Sequence, residues 1–74
     1  MEKKAYQAVI KAQTGLLLGG TVSHTSSPFE QFKDAVSWSD TAVQINKDAN
    51  RDVIHDGIYM VTCPTERVIR SVNN

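Results

Sequence analysis

Apolar and polar residues alternate near the start of the chain, and this alternation predicts a β-strand over residues 4–13. One face of that strand carries Tyr6, Ala8, Ile10 and Ala12. The other face is mostly polar, which is typical of an antiparallel sheet with one solvated side. Thr14-Gly15 has the composition of a turn, and residues 16–24 are predicted to form a second, antiparallel strand.

Two adjacent glycines leave the second strand open to two interpretations. Gly19-Gly20 is either a β-bulge within the strand or the two-residue turn of a hairpin whose first strand is longer. We favour the bulge, because Thr14-Gly15 already supplies a turn.

The segment after the second strand has the pattern of a helix start. Ser27 and Glu30 have the spacing of a capping box, and Pro28 occupies the first helical position, where its missing N–H costs nothing. Glu30 and Asp34 place negative charge in the first turns, where the helix dipole favours it. We therefore predict a helix that begins after Ser27.

Two apolar stripes run along the predicted helical region, residues 28–56. The first contains Phe29, Phe32, Val36 and Val43, and the second contains Trp38, Ala42, Ile45, Ala49 and Val53. At about 100° per residue, the second stripe lies more than about 100° around the helix axis from the first. They indicate either one helix buried on two sides or two helices with a break at residues 37–40, where Ser39 or Asp40 could cap the second. A strand over residues 41–45 is a less favoured alternative.

The rest of the chain returns to strand composition. Gly57 is predicted to end the helical region in the left-handed conformation, with Ile58 as the hydrophobic partner of a Schellman-type cap. Residues 58–63 are predicted to form a strand and residues 63–66 a turn. Residues 67–72 are either a last strand or a short helix capped by Thr65.

These elements predict a single α+β domain over residues 1–74. It has two layers: an antiparallel β-sheet, in chain order β-β-α-(α)-β-β, with the helical layer packed on one face. The expected core places Phe29, Phe32 and Val36 against apolar residues of the sheet. The sheet residues expected in that core are Tyr6 or Val9, Ile10, Met60 and Ile69.

Size and composition point to a protein that needs a partner. A chain of 74 residues rarely leaves more than roughly 3–5 kcal/mol of net stability. One cysteine, Cys63, cannot form an internal disulfide, and with His24 and His55 it does not have zinc-ligand spacing. We therefore expect a homodimer.

The sequence contains no segment that would target a membrane. The longest apolar run, residues 16–18, is too short for a membrane span, and the N-terminus lacks the pattern of a signal peptide. We therefore expect a cytoplasmic protein with no membrane partner.

Two candidate partner-binding features lie in the predicted helical region. Trp38 lies off the first apolar stripe beside Ile45 and is either a contact residue for a partner protein or part of the core. Asp48, Asp52 and Asp56 have i, i+4 spacing and would form an acidic ridge on a helix, although an ordinary solvated face is the simpler interpretation.

The ends of the chain are basic and suggest an alternative function. The flanking segments carry Lys3, Lys4, Lys11, Arg67 and Arg70. With Tyr6 and Tyr59 these residues could form a platform for single-stranded nucleic acid, although no RNP-type motif is present. The net charge of zero argues against strong nucleic-acid binding.

No motif in the sequence indicates catalysis, a metal or a cofactor. His24, His55 and Cys63 have structural or incidental interpretations, and Asp52, His55 and Asp56 are typical of a solvated charged face. We therefore expect a non-enzymatic protein–protein interaction module with no cofactor and no metal. Its size suits a regulator or inhibitor of the kind that phages and mobile elements carry.

Overall fold

The structure, a computed structural model, describes residues 1–13 and 20–70 and shows a small α+β fold. Its strands are β1 (Glu2–Gln13), β2 (Thr21–Thr25) and β3 (Val53–Pro64), and its helix is α1 (Phe32–Asp48). The strands form an antiparallel sheet in the order β2-β1-β3, and α1 packs against β1 and β3. The α+β class and the antiparallel sheet are confirmed, with one α-helix in the described residues where the sequence left room for two.

The central strand is the one whose alternation was clearest. Ala8, Ile10 and Ala12 of β1 are buried, as their shared face predicts. Ile10 lies opposite His24 of β2 and His55 of β3. His55 in turn contacts α1 through Ser39, so this face of β1 is the one that the helix covers.

The predicted helix start after Ser27 is wrong, because the backbone there is extended. The helix begins at Phe32, with Gln31 as its N-cap. Phe29 forms a β-bridge with Tyr6, and the two residues exchange backbone hydrogen bonds of 2.8 Å in both directions. This pairing satisfies two backbone donors and two acceptors and buries Phe29, which outweighs what a local capping box offers.

A buried serine carries the backbone pairing from β2 to Phe29. The N–H of Ser26 donates to the carbonyl of Ala8 at 2.8 Å, and the Ala8 N–H donates to the hydroxyl Oγ of Ser26 at 2.9 Å. The hydroxyl therefore takes the place of a strand carbonyl where residues 26–28 leave the regular register. Ser26 and Ala8 are both buried.

The helix is continuous and ends earlier than predicted. It shows no break at residues 37–40 and no strand at residues 41–45, so both of those alternatives are wrong. Asn50, with φ of 60°, adopts the left-handed conformation beyond its C-terminus. Gly57 lies instead within β3, where it pairs with Val9. The next residue of β1, Ile10, pairs with His55, so Asp56 has no partner on β1 and is the extra residue of a β-bulge.

Where the structure describes it, through residue 70, the C-terminal segment is neither of the two predicted elements. A 3-10 turn spans Thr65–Arg67, and Ile69 then forms a parallel bridge with Phe29. The Ile69 N–H donates to the carbonyl of Pro28, and the Glu30 N–H donates to the carbonyl of Ile69. The predicted turn at Thr14-Gly15 and the choice between bulge and hairpin at Gly19-Gly20 lie outside the described residues, except for Gly20 itself.

The core is small and rich in alanine. Ala8, Phe29 and Ala35 form its buried cluster, and Tyr6, Trp38 and Ile58 pack against them. Among the described residues, Ile10 is the one large side chain that is fully buried. The prediction of Phe29 and Ile10 as core residues is confirmed. Phe32 and Met60 are wrong as core residues, because they remain 53% and 60% exposed.

Candidate partner-binding surface

A groove between α1 and β2 is the candidate site. β2 is exposed along its whole length, and Val22 and His24 lie on the helix-covered face of the sheet, opposite Ala12 and Ile10. The helix packs toward β3 and leaves this side of the sheet open. The resulting groove has a volume of about 200 Å³ and is lined mainly by apolar surface.

Trp38 has one part in the core and another in the groove. It is half-buried, packs against the cluster of Ala8, Phe29 and Ala35, and also lines the groove. The sequence offered the core and the exposed contact as alternatives, and the structure places Trp38 at the boundary between the two. An indole held on one side by the core is a rigid apolar surface for a ligand.

Ile45 extends the groove along the helix. Trp38, Ala42 and Ile45 are spaced four and three residues apart, which places them on one side of α1. Ile45 is 61% exposed, although its neighbours along this side are half-buried. His24 and Arg51 also line the groove and provide polar atoms at its rim.

The acidic ridge predicted on a helix does not exist as such. Asp48 is the last residue of α1 and accepts a hydrogen bond from Gln44. Asp52 precedes β3, and its backbone carbonyl accepts a hydrogen bond from Gln13. Asp56 is the bulge residue of β3 and accepts a hydrogen bond from the Tyr59 phenol, which raises the pKa of Tyr59 above its ordinary value of 10.0. The i, i+4 geometry fails because the helix ends before Asp52.

The basic residues are spread over the molecule. Lys3 and Lys11 share the face of β1 away from the helix but lie eight residues apart, about 27 Å along a strand. Lys4 points to the opposite face. Arg67 lies in the 3-10 turn and Arg70 follows the Ile69 bridge.

One of these basic residues is engaged in an ion pair. Lys3 donates a hydrogen bond to Glu30, and this contact, together with the charge of Arg70, holds the pKa of the Glu30 carboxyl below its ordinary value of 4.5. Tyr6 and Tyr59 lie on opposite faces of the sheet, since they belong to consecutive pairs of the β1–β3 ladder, Tyr6 with Met60 and Gln7 with Tyr59. They therefore do not form one aromatic platform with the lysines.

A serine–histidine pair was missed by sequence reasoning. Ser39 Oγ lies 2.7 Å from His55 Nδ1, and Asp40 Oδ1 lies 4.0 Å from His55 Nε2. The residue types resemble a hydrolytic triad, but Ser39 is only 4% exposed and the Asp40 contact is too long for a hydrogen bond. The pair joins α1 to β3. It was not visible in the sequence because His55 was assigned to the helix.

The remaining candidates show no assembled site. Cys63 is a free thiol of intermediate burial at the end of β3. Within residues 1–13 and 20–70, no group of three or more acidic, histidine or cysteine side chains is placed to hold a metal ion. Over the same part of the chain, no helix is long and apolar enough to cross a bilayer.

No protein-family model, no curated protein and no solved structure matches this chain. Its function must therefore be inferred from its own surface and chemistry.

Proposed function

We propose that this protein is a non-enzymatic protein–protein interaction module that binds a partner protein in the groove between α1 and β2, with Trp38 and Ile45 as the main contacts. The observation that carries this proposal is the exposure of Ile45 beside the half-buried Trp38 in a groove floored by Ile10. Tryptophan near the centre of an interface is typical of the residues that dominate binding energy, and an exposed isoleucine beside it adds apolar area that a partner can cover.

The distribution of apolar residues supports a role in binding. The core contains four buried alanines and one large, fully buried side chain, whereas several large apolar side chains of the described residues are exposed. Burying a large aliphatic side chain contributes roughly 1.5–3 kcal/mol. A chain this short has a marginal core, so covering these side chains with a partner would add stability.

The groove suggests the chemistry of the partner. Its centre is apolar, so it suits an aliphatic or aromatic side chain that the partner inserts between Trp38 and Ile45. Arg51 and His24 at the rim favour a carboxylate next to that side chain. A segment with an apolar anchor beside Asp or Glu therefore fits best. Such a contact suits a regulator or inhibitor that acts by occupying its partner's surface.

Capture experiments with matched variants test this proposal. Tagged wild-type protein would be used to co-purify partners from its native host, in parallel with Ile45→Lys and Ile54→Lys. Ile54 is 62% exposed, nearly the same as Ile45, but lies on β3 outside the groove. We expect a partner that Ile45→Lys loses and Ile54→Lys retains. Equal capture by all three proteins, at matched folding by circular dichroism, would contradict the proposal.

Nucleic-acid binding finds less support as a second function. Its candidate residues lie on different faces and at different ends of the sheet, and Lys3 is paired with Glu30. Phosphate-driven binding needs several cations on one track and weakens steeply with salt. A gel shift with single-stranded DNA and RNA at low salt tests nucleic-acid binding. A complex that forms at low salt and is lost on raising the salt would support it.

A further inference from the structure

We infer that β3 is the interface of a homodimer, in which the Gly57–Cys63 stretches of two copies pair antiparallel about a two-fold axis at Met60. This inference concerns the sheet edge opposite β2 and does not depend on the groove. It turns the three-stranded sheet of the described residues into a continuous six-stranded sheet. The partner it requires is a second copy of this chain.

The hydrogen-bond pattern shows which groups of β3 face outward. In β1, Tyr6 and Ala8 exchange their backbone hydrogen bonds with Phe29 and Ser26, on the side away from β3. Their partners across the β1–β3 ladder are Met60 and Ile58. In an antiparallel pair such residues direct both N–H and C=O away from the neighbouring strand. Met60 and Ile58 therefore present free donors and acceptors, and in the described part of the chain no strand lies beyond β3.

The outward stretch lacks the usual protection of a sheet edge. Natural edge strands are interrupted by charges, prolines or bulges that prevent pairing with another chain. The seven residues from Gly57 to Cys63 contain no charge and no proline. The protecting features lie at its two ends: the bulge at Asp56 and the proline at position 64. They limit pairing to this stretch without preventing it.

The boundaries of the stretch also determine the register. Met60 is the midpoint of the stretch. When Met60 pairs with Met60 of the second copy, each of the seven residues pairs with a residue of the same stretch in that copy. On the helix-covered face, Met60 then meets Met60 of the second copy, and Ile58 meets Thr62. On the other face, Tyr59 meets Val61. Aromatic and β-branched residues form favourable cross-strand pairs, and no like charges face each other.

The exposed apolar residues near this edge favour burial. Met60 is 60% exposed and lies directly opposite Tyr6 in the ladder. The Tyr6 ring makes an edge-to-face contact with Phe32, with centroids 5.5 Å apart, and Phe32 is itself 53% exposed. Phe32, Tyr6 and Met60 thus form a continuous apolar surface beside the free hydrogen-bonding groups.

The mass in solution tests the inference. The chain has a mass of 8.2 kDa, so sedimentation at micromolar concentration should give twice that value for the wild type. We expect Met60→Lys to sediment as a monomer, because two ammonium groups would then face each other at the axis. Ile54→Lys, a substitution of similar exposure in the same strand but outside the stretch, should remain dimeric. A monomeric wild type, or a dimeric Met60→Lys, would overturn the inference.

Cross-linking tests the register even where Met60→Lys alters folding. In a Cys63→Ser background, Met60→Cys places two thiols on directly opposite residues, about 5.5 Å apart at Cα, within reach of a disulfide. Thr62→Cys places them four residues apart along the strands, about 14 Å, and serves as the control. An added oxidant should link the first variant and not the second. Equal linkage of both, or linkage of neither, would reject the register.

The edge and the groove can be distinguished by the same variants. Met60→Lys should lose the dimer and retain capture of a partner, whereas Ile45→Lys should lose capture and remain dimeric. The dimer through β3 and the capture of a partner in the groove are therefore tested independently.

Discussion

Replacing Ser26 with alanine should destabilise the fold more than any comparable substitution on β2. The hydroxyl of Ser26 accepts the hydrogen bond of the Ala8 N–H at 2.9 Å, and Ala8 is fully buried. In Ser26→Ala the Ala8 N–H stays buried but has no hydrogen-bond acceptor, which lowers the free energy of unfolding by about 1–3 kcal/mol. The second hydrogen bond of the hydroxyl, to the carbonyl of Ser27, adds less because Ser27 is exposed and water can replace the donor.

Urea unfolding followed by the fluorescence of Trp38, the single tryptophan of the chain, measures this loss. In a domain of this length, each kcal/mol also lowers Tm by about 4–8 °C. Ser23→Ala is the control, since Ser23 is exposed on β2, three residues before Ser26, and its substitution should change stability by no more than about 0.5 kcal/mol. All variants must be compared at one protein concentration, because a dimer adds concentration-dependent stability. Equal stability of Ser26→Ala and Ser23→Ala would refute the assigned role of Ser26.

Three further predictions concern backbone strain, pH and reactivity. Gly57→Ala should cost roughly 1–3 kcal/mol in urea unfolding, because the φ of 154° at the bulge is unfavourable for any side chain; unchanged stability would show that the bulge relaxes. The lowered pKa of Glu30 stabilises the fold at pH above 4.5, and this contribution should fade as the pH drops through 4.5 toward the lower folded value. Urea midpoints between pH 3 and 7 should lose that dependence in Lys3→Met, and an identical profile would contradict the ion pair. A fluorophosphonate probe should leave Ser39 unlabelled, since its hydroxyl is buried. Labelling of Ser39 would show a reactive serine and favour an enzymatic function.

Strand β1 and the body of α1 were predictable because their patterns are long and one-sided. The alternation from Tyr6 to Ala12 reflects a central strand with one face under the helix, and the structure buries Ala8, Ile10 and Ala12 as expected. The spacing from Trp38 to Ile45 reflects one side of α1. In both elements, local pattern and tertiary burial agree.

The two ends of the helix were mispredicted for different physical reasons. Ser27, Pro28 and Glu30 satisfy every local rule for a helix start, but Phe29 gains more from pairing with Tyr6, a residue far away in the sequence. At the other end, both Asn50 and Gly57 tolerate positive φ. Choosing glycine over asparagine extended the predicted helix by about two turns and assigned Asp52, Asp56 and His55 to the wrong element.

The candidate site was only partly accessible from the sequence. Trp38 and Ile45 could be placed together because they lie on one helix, whereas the β2 side of the groove depends on sheet order. The Ser39–His55 pair and the free edge of β3 depend on strand boundaries and on a bulge, which no periodicity reveals.

The location of the partner's footprint tests the central claim most directly. Hydrogen exchange measured by mass spectrometry, on the chain alone and with a partner that the wild type captures, would map that footprint. We expect the partner to slow exchange in residues 21–25 and 38–46, which form the two walls of the groove. Protection confined to other segments, with these two unchanged, would contradict the assignment of the groove as the partner-binding site.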